Sequence, residues 1–283
     1  MFIKWLASPI ALCVFVTCHP LIATADTQST DLSFLSLGVG LEELSYYEFF
    51  DTSPVWSSAY TGSFVTVLTG VVRRDVLALS FRGALSPVGL GGTERWFSNG
   101  DTIQRNDLNY RLSRTMGSIG FVFRNGLEAR LGYWYANGTQ KRTDFRTTNS
   151  PPSNLVSIER IHSQGITMGL QGIIHNDPQR YVIHLYGDLI VIPDAGPLQA
   201  KTTNTSFPGV ELHSWGLGTE AGGSYSWTFG KGPSKLLASL QANLILLYYD
   251  GQVRSVVEWP SNLTMGWRIM LQLGGGWFSL LEK

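Results

Sequence analysis

Charged residues are scarce in this chain, and cysteine is confined to its first residues. Charged side chains make up 15% of the 283 residues, with 21 Lys and Arg against 21 Asp and Glu. A chain without a basic surplus lacks the charge that neutralises phosphates, which argues against a nucleic-acid partner. The two cysteines are Cys13 and Cys18. The chain beyond them therefore offers no disulfide, thiol nucleophile or thiolate metal ligand.

The first 25 residues have the pattern of an export signal. Lys4 precedes an apolar run over residues 10–16, and Ala23-Thr24-Ala25 provides the small residues that signal peptidase reads. We expect a signal peptide over residues 1–25 and a mature domain over residues 26–283. A lipoprotein signal ending at Cys18 is the alternative. No later run of about eighteen apolar residues predicts a membrane helix.

Glycine and aromatic residues are abundant, and both are typical of strands joined by turns. The chain has 31 Gly, 9 Trp, 11 Tyr and 14 Phe. Residues 119–137 show the pattern best, because Phe121 and Phe123 alternate with small residues before Asn125-Gly126, the sequence of a tight hairpin turn. Leu131 and Tyr133 continue the alternation after the turn. We expect these four apolar side chains to contact lipid.

About ten such segments follow one another, and their connections alternate in length. Tight turns alternate with long polar loops, which we place at residues 86–104, 139–154 and 193–208. This pattern predicts an all-β protein: a single transmembrane, antiparallel, up-and-down β-barrel of about ten strands in the outer membrane of a Gram-negative bacterium. The long loops then face outward, and Tyr135 approaches the outer surface. A secreted β-sandwich is the alternative.

The fourth segment contains a conflict of parity. Leu108, Tyr110 and Leu112 are even-numbered, whereas Ile119 and Phe121 are odd-numbered. If all five are to face lipid, a β-bulge or a kink must shift the phase of the strand near residues 113–117. We therefore predict a bulge or kink there.

Charged residues on the polar faces of the segments predict ion pairs inside the barrel. The expected lumenal set is Arg82, Arg111, Glu128, Arg130, His184, Asp188, Glu220 and Arg268, with Glu42 beside it. Buried charges are costly unless paired, so we expect a lumen filled by salt bridges. A narrow ion or proton channel is the alternative. His184 and Asp188 are about 13 Å apart along a strand, too far to act as a dyad.

Residues 101–145 resemble the omptin family of outer-membrane proteases, above all in LNY at 108–110 and GYWYANG at 132–138. The resemblance implies a rim site in which two aspartates face an Asp-His pair and activate a water molecule. The matching positions here offer Glu94 and Asp101 on one side and Glu211 and His213 on the other. These four are the catalytic candidates. Because the aspartate pair is missing, we expect a non-enzymatic barrel, with an omptin-like endopeptidase as the alternative.

No motif in the chain indicates a cofactor or a metal site. Neither a phosphate-binding glycine loop nor metal-ligand spacing occurs. A lipid A deacylase would need a His-Ser dyad, and the adjacent pairs His162-Ser163 and His213-Ser214 point to opposite faces of a strand. The expected partners are outer-membrane lipid and lipopolysaccharide, the barrel-insertion machinery, and an extracellular ligand at the long loops. The expected function is structural or a surface interaction.

Overall fold

A computed structural model describes residues 30–123, 126–148, 151–177, 181–196, 199–202, 213–230, 234–254 and 257–280. The expected signal peptide, Asn125 and the catalytic candidate Glu211 lie outside these residues. Within the described part of the chain, no helix is long and apolar enough to cross a membrane.

Ten long strands form one closed wall. They are β1 (Thr30–Phe49), β2 (Val55–Arg74), β3 (Leu77–Ser98), β4 (Asp101–Val122), β5 (Leu127–Thr147), β6 (Ser157–Asp177), β7 (Tyr181–Ala195), β9 (Ser214–Phe229), β10 (Ser234–Tyr249) and β13 (Ser261–Leu280). The short strands are β8 (Gln199–Thr202), which pairs with β6, and the hairpin β11 (Gln252–Arg254) and β12 (Val257–Trp259). Each long strand pairs antiparallel with the next, and β1 pairs with β13. The predicted ten-stranded up-and-down barrel is confirmed, and its closed ring leaves no strand edge unpaired in lipid.

A belt of apolar side chains covers the outside of the wall. On β1, Leu35, Leu37 and Val39 are each about 60% exposed, and Phe121 and Tyr133 are similarly open. Such side chains are stable on a surface only against lipid or another apolar body. The face expected to contact lipid in residues 119–137 is therefore the outward face of the barrel.

Two segments expected as long loops continue the wall instead. β3 runs to Ser98 and β4 starts at Asp101, joined by a two-residue turn in which Asn99 and Gly100 have φ of 53° and 92°. β5 likewise continues to Thr147. These expectations were wrong because the wall here projects beyond the apolar belt. Beyond Val88 and Leu90, which are still exposed apolar residues, the outer side of the wall is mostly polar, so the strands there carry no regular apolar alternation.

β4 keeps one parity along its whole length, so the predicted bulge or kink at residues 113–117 is also wrong. Its pairing with β5 is continuous from Asp107 to Val122, and Leu108, Tyr110 and Leu112 are buried inside the barrel. The register of this region shifts in β3 instead, between Ala84 and Gly92. The parity conflict arose because the inside of the barrel is apolar at this height.

The inward apolar residues form a layer across the lumen toward the end of the barrel that carries the long connections, hereafter the loop end. This apolar layer consists of Leu44, Tyr46, Leu108, Tyr110, Leu112, Trp134, Ile161, Ile190, Ile192, Ile245, Leu247, Tyr249 and Trp259. Each fully buried side chain of this kind stabilises the fold by about 1.5–3 kcal/mol. The barrel therefore has an internal hydrophobic core in addition to its lipid-facing belt.

We expect Leu247→Ala to lower the free energy of unfolding by about 2–5 kcal/mol, because it leaves a cavity in the apolar layer. Leu247 is fully buried, whereas Leu273 is 73% exposed on the outer wall. Leu273→Ala is the matched control, since lipid fills the space that it leaves. Urea unfolding in lipid vesicles measures both variants, and an equal loss in the two would contradict an internal core.

Candidate functional site

Two arginines hold one aspartate at the centre of the lumen. Arg130 Nε donates to Asp188 Oδ1 at 2.7 Å, its Nη2 bonds Asp188 Oδ2, and its Nη1 donates to Gln171 Oε1. Arg82 Nη2 lies 3.5 Å from Asp188 Oδ2, and its Nη1 is 3.0 Å from Glu220 Oε1. The arrangement ties β3, β5, β7 and β9 together across the barrel.

Two further arginines complete this central network. Arg114 Nη2 is 2.7 Å from Glu42 Oε1, and its Nε is 3.6 Å from Glu220 Oε2. Arg268 Nη2 is 3.3 Å from Glu220 Oε1, and its Nη1 is 4.0 Å from Glu42 Oε1. Four guanidinium groups thus surround three carboxylates, all of them buried. Such pairing is the condition under which charges persist away from water.

Tyr186 supports the network from below. The Arg82 guanidinium lies 3.7 Å from the centre of the Tyr186 ring, a cation–π contact, and the Tyr186 hydroxyl donates to Glu220 at 3.3 Å. Gly169 makes room for Asp188, because a Cβ at this glycine would collide with the carboxylate. The glycines on the polar strand faces thus leave space for the charged groups.

The structure places eight of the nine expected lumenal residues inside the barrel, and these eight form two groups. The central network contains Arg82, Arg130, Asp188, Glu220 and Arg268, together with Glu42. Glu128 and His184 are inside the barrel but nearer the end with the short turns, hereafter the turn end, and His184 packs on Tyr186 with ring centres 6.0 Å apart.

Arg111 does not lie in the lumen, which corrects the expectation for this residue. It is partly exposed on the outward side of β4, and its Nη1 donates to the carbonyl of Pro87 at 3.1 Å. Arg114, which the sequence reading missed, takes the inward place. Because β4 has no bulge, its even-numbered residues face inward throughout, and that parity would have identified Arg114.

A small cavity separates the central network from the turn end. Its volume is about 70 Å³, which is room for a few water molecules, and its walls include Ser36, Thr69, Gln171, His184 and Ser226. Above it, the central network and then the apolar layer follow along the barrel axis. A path for ions would have to pass both.

A second group of charges lies at the loop end, above the apolar layer. Arg142 contacts three glutamates: Glu48 Oε1 at 2.9 Å, Glu94 Oε2 at 2.7 Å and Glu159 Oε1 at 2.6 Å. We call these four residues the mouth cluster. Glu48 and Glu94 are almost completely buried, and the Glu159 side chain is 22% exposed.

Neutral side chains complete the surroundings of the mouth cluster. Ser57 and Asn106 donate to Glu94 at 3.1 and 2.8 Å, and Tyr46 donates to Glu48 at 2.5 Å. These contacts join β1, β2, β3, β4, β5 and β6 at the loop end. The cluster therefore links six neighbouring strands on the inner side of the projecting wall.

The three catalytic candidates that the structure describes do not form one site. Glu94 is buried inside the barrel in the mouth cluster, whereas Asp101 is exposed beside the β3–β4 turn. His213 is exposed, and its Nδ1 lies 2.7 Å from Asp194 Oδ1. The next residue, Ser214, is buried, so His213 lies on the outward side of the wall. A buried lumenal glutamate and an outward histidine cannot hold a common water molecule.

Metal ligation finds no support in the described part of the chain. There, no group of three or more His, Cys, Asp or Glu side chains could hold a metal ion.

We expect Asp188→Asn to destabilise the barrel by about 3–5 kcal/mol, because it leaves Arg82 and Arg130 buried without their shared carboxylate. Asp194→Asn is the control, since it removes an aspartate whose side chain is 48% exposed and should cost at most about 1 kcal/mol. Urea unfolding in vesicles compares the two variants. An equal free energy of unfolding in both variants would show that the central network does not stabilise the barrel.

The fold is similar to that of solved outer-membrane barrels, although no protein-family model and no curated protein sequence match the chain. The outer membrane protease OmpT from Escherichia coli aligns with a TM-score of 0.58 at 10% identity, over 91% of this chain and 100% of that chain. The translocator domain of the autotransporter NalP from Neisseria meningitidis gives 0.39 at 9% identity, over 95% and 97%. A Pseudomonas aeruginosa FadL homologue gives 0.31 at 9% identity, over 90% and 91%.

These comparisons establish the fold and not the activity. At 10% identity, the likeness to OmpT shows a shared barrel architecture alone, and the other two TM-scores are too low to support an argument. The chain has the fold of an outer-membrane β-barrel, similar to that of OmpT, as the sequence predicted.

Proposed function

We propose that this protein is a closed, non-enzymatic barrel that acts through its outer surface. The observation that supports this proposal is the filled lumen, in which the central network, the apolar layer and the mouth cluster follow one another. A barrel that keeps its interior tied together presents only its exterior and its loop end to partners.

The filled lumen argues against the narrow channel. Conduction needs a continuous wet path with weak binding sites along it. Here the apolar layer includes Leu108, Ile192 and Leu247, which are at most 1% exposed. An ion would lose most of its hydration there, because the tyrosine hydroxyls of the layer already have hydrogen-bond partners.

The positions of the catalytic candidates argue against an omptin-like endopeptidase. The omptin arrangement needs an aspartate pair and an Asp-His pair that face each other across one rim. In this protein Glu94 is fully engaged with Arg142, Ser57 and Asn106, and the Asp194–His213 pair faces outward. No described pair of groups is placed to activate water against a substrate in the mouth.

We expect the refolded protein to give no conductance steps in planar lipid bilayers, because the apolar layer interrupts every path through the lumen. Insertion is checked separately, since a folded barrel resists detergent until it is boiled and then changes its mobility on a gel. Discrete steps from protein that shows this mobility change would contradict a closed barrel.

The absence of activity is tested with the same preparation. We expect dibasic peptides to remain intact after incubation with it. Cleavage that disappears in His213→Ala would overturn the non-enzymatic proposal and favour the endopeptidase.

The outward face of β4 to β6 suggests one partner. Thr139 on β5 has two basic register partners, Arg111 on β4 and Arg160 on β6. The exposed Lys141 lies two residues further along β5. The register partners of these three basic residues, hereafter the basic wall, are uncharged: Thr139, Asn109, Ile158 and Gln199. Tyr135, at the upper border of the apolar belt, is four residues below Thr139, about 13 Å along the strand.

This height corresponds to the head groups of the outer leaflet, so we propose that the basic wall binds phosphate groups of lipopolysaccharide. Lys and Arg near an anionic membrane surface each contribute about 1 kcal/mol. Three such residues with uncharged register partners would hold a phosphate-bearing head group while the apolar belt contacts its acyl chains.

The triple variant Arg111→Gln, Lys141→Gln, Arg160→Gln should bind purified lipopolysaccharide about 100-fold more weakly in detergent, from the loss of three such contributions. The matched control replaces Arg95, Arg105 and Arg146, three basic residues higher on the wall, in the same way. Dephosphorylated lipopolysaccharide separates phosphate binding from acyl-chain binding. The partner proposal fails if both triple variants lose affinity equally, or if phosphate removal has no effect.

A further inference from the structure

Among the residues that the structure describes, the mouth cluster carries more negative charge than its one cation can balance. Three glutamates, Glu48, Glu94 and Glu159, surround the single guanidinium of Arg142. Two of these glutamates are shielded from water almost completely. Unbalanced buried charge is costly, so the cluster needs a further positive charge or a neutral carboxyl.

Of the two almost completely buried carboxyls in the cluster, Glu48 receives fewer hydrogen bonds than Glu94. Among the described residues it receives hydrogen bonds from Tyr46 and Arg142 alone. Asn262 lies directly opposite Glu48 in the β1–β13 register and is 1% exposed, yet its Nδ2 makes no hydrogen bond in the described structure. Glu94, by contrast, also accepts from Ser57 and Asn106.

The contact between Glu48 and Arg142 crosses the lumen. Glu48 lies on β1 and Arg142 on β5, four places away around the ring. The other charged or titratable groups that face Glu48 are Tyr46 on its own strand, Glu94 on β3 and Glu159 on β6. Loss of the β1–β5 contact would separate two sides of the wall at the loop end.

We propose that the mouth cluster is a proton-operated closure, in which protonation of Glu48 holds the loop end shut and loss of that proton loosens it. A proton is the smallest positive charge and can reach a carboxyl that is almost completely buried. This inference goes beyond the proposed function, because it concerns control of the loop end and leaves the central network closed at every pH.

The position and surroundings of Glu48 give the direction of the effect. On β1 the outward apolar run ends at Leu41, seven residues before Glu48, so this carboxyl lies about 23 Å further along the strand, beyond the lipid belt. Burial raises the pKa of Glu48 to about 7; Arg142 opposes the rise, and Glu94 and Glu159 add to it.

An opened mouth would return this carboxyl to its ordinary pKa of about 4.3. The closed form therefore binds a proton that the open form releases. Closure is strongest below the ordinary pKa, and it weakens as the pH rises toward about 7. Above that value it changes no further, because Glu48 is then ionised in both forms.

A single cysteine beneath the mouth reports opening. Ala59 is buried, faces the lumen and is the register partner of both Tyr46 and Glu94. Ala59→Cys is introduced into the full chain with Cys13 and Cys18 replaced by serine, and its reaction with a bulky, charged thiol reagent is timed across the pH range. The same cysteine in a Glu48→Gln background corrects for the pH dependence of the thiol itself, because the glutamine side chain mimics the protonated carboxyl.

The ratio of the labelling rate with Glu48 to the rate with Glu48→Gln should rise about tenfold per pH unit between about pH 5 and 7, and then level off. Glu128→Gln, a buried glutamate at the turn end, is the control and should keep the full response. Tyr46→Phe removes a hydrogen bond to the Glu48 carboxylate and should move the response to higher pH, which provides a second test if Glu48→Gln does not fold.

A labelling ratio that does not depend on pH would overturn the proposal. The series is repeated with sodium replaced by choline, and a response that follows sodium rather than pH would show that a small cation, not a proton, balances the cluster.

Conductance recordings over the same pH range keep this test separate from the proposed function. Steps at alkaline pH would contradict the closed barrel, whereas silence with a pH-dependent labelling ratio supports both proposals.

Discussion

The structure depends on the pairing of charges that have no access to water. Arg82, Arg130 and Asp188 come from three different strands and meet at the centre of the lumen, where each needs the others to offset the loss of hydration. Because each strand of a closed ring is fixed by its two neighbours, the register of all ten strands determines whether these groups meet. The network is thus both a product of the ring and a constraint on its register.

The interior is organised in layers rather than as a polar channel. Small hydroxyl and amide side chains line the turn-end cavity, guanidinium and carboxylate groups fill the centre, and apolar side chains such as Leu112 and Ile190 close the region above. A transmembrane barrel usually has a polar interior. With this apolar layer, the wall carries apolar side chains on its inner as well as its outer face.

The two charged groups have opposite imbalances. The central network has four arginines for three acids, whereas the mouth cluster has one arginine for three. The first lies at the height of the membrane and the second beyond it. The proposed lipopolysaccharide contact uses the outer side of this wall, so the two sides of the projecting strands would serve different purposes.

The sequence by itself determined the strand number, the closed antiparallel topology and most of the central network. It could do so because alternation is a local property of a strand. The apolar residues from Leu35 to Leu41 mark an outward face in this way, and the change from Phe81 to Arg82 separates an outward residue from an inward one. Only the tertiary structure decided the rest. Arg114 rather than Arg111 faces the lumen, and Leu108 faces inward. Alternation divides the residues of a strand between two sides, but it does not show which side faces lipid when both sides are apolar.

The mouth cluster could not be predicted from the sequence either. Its four residues are far apart in the chain and meet only because ring closure brings β1, β3, β5 and β6 around one space.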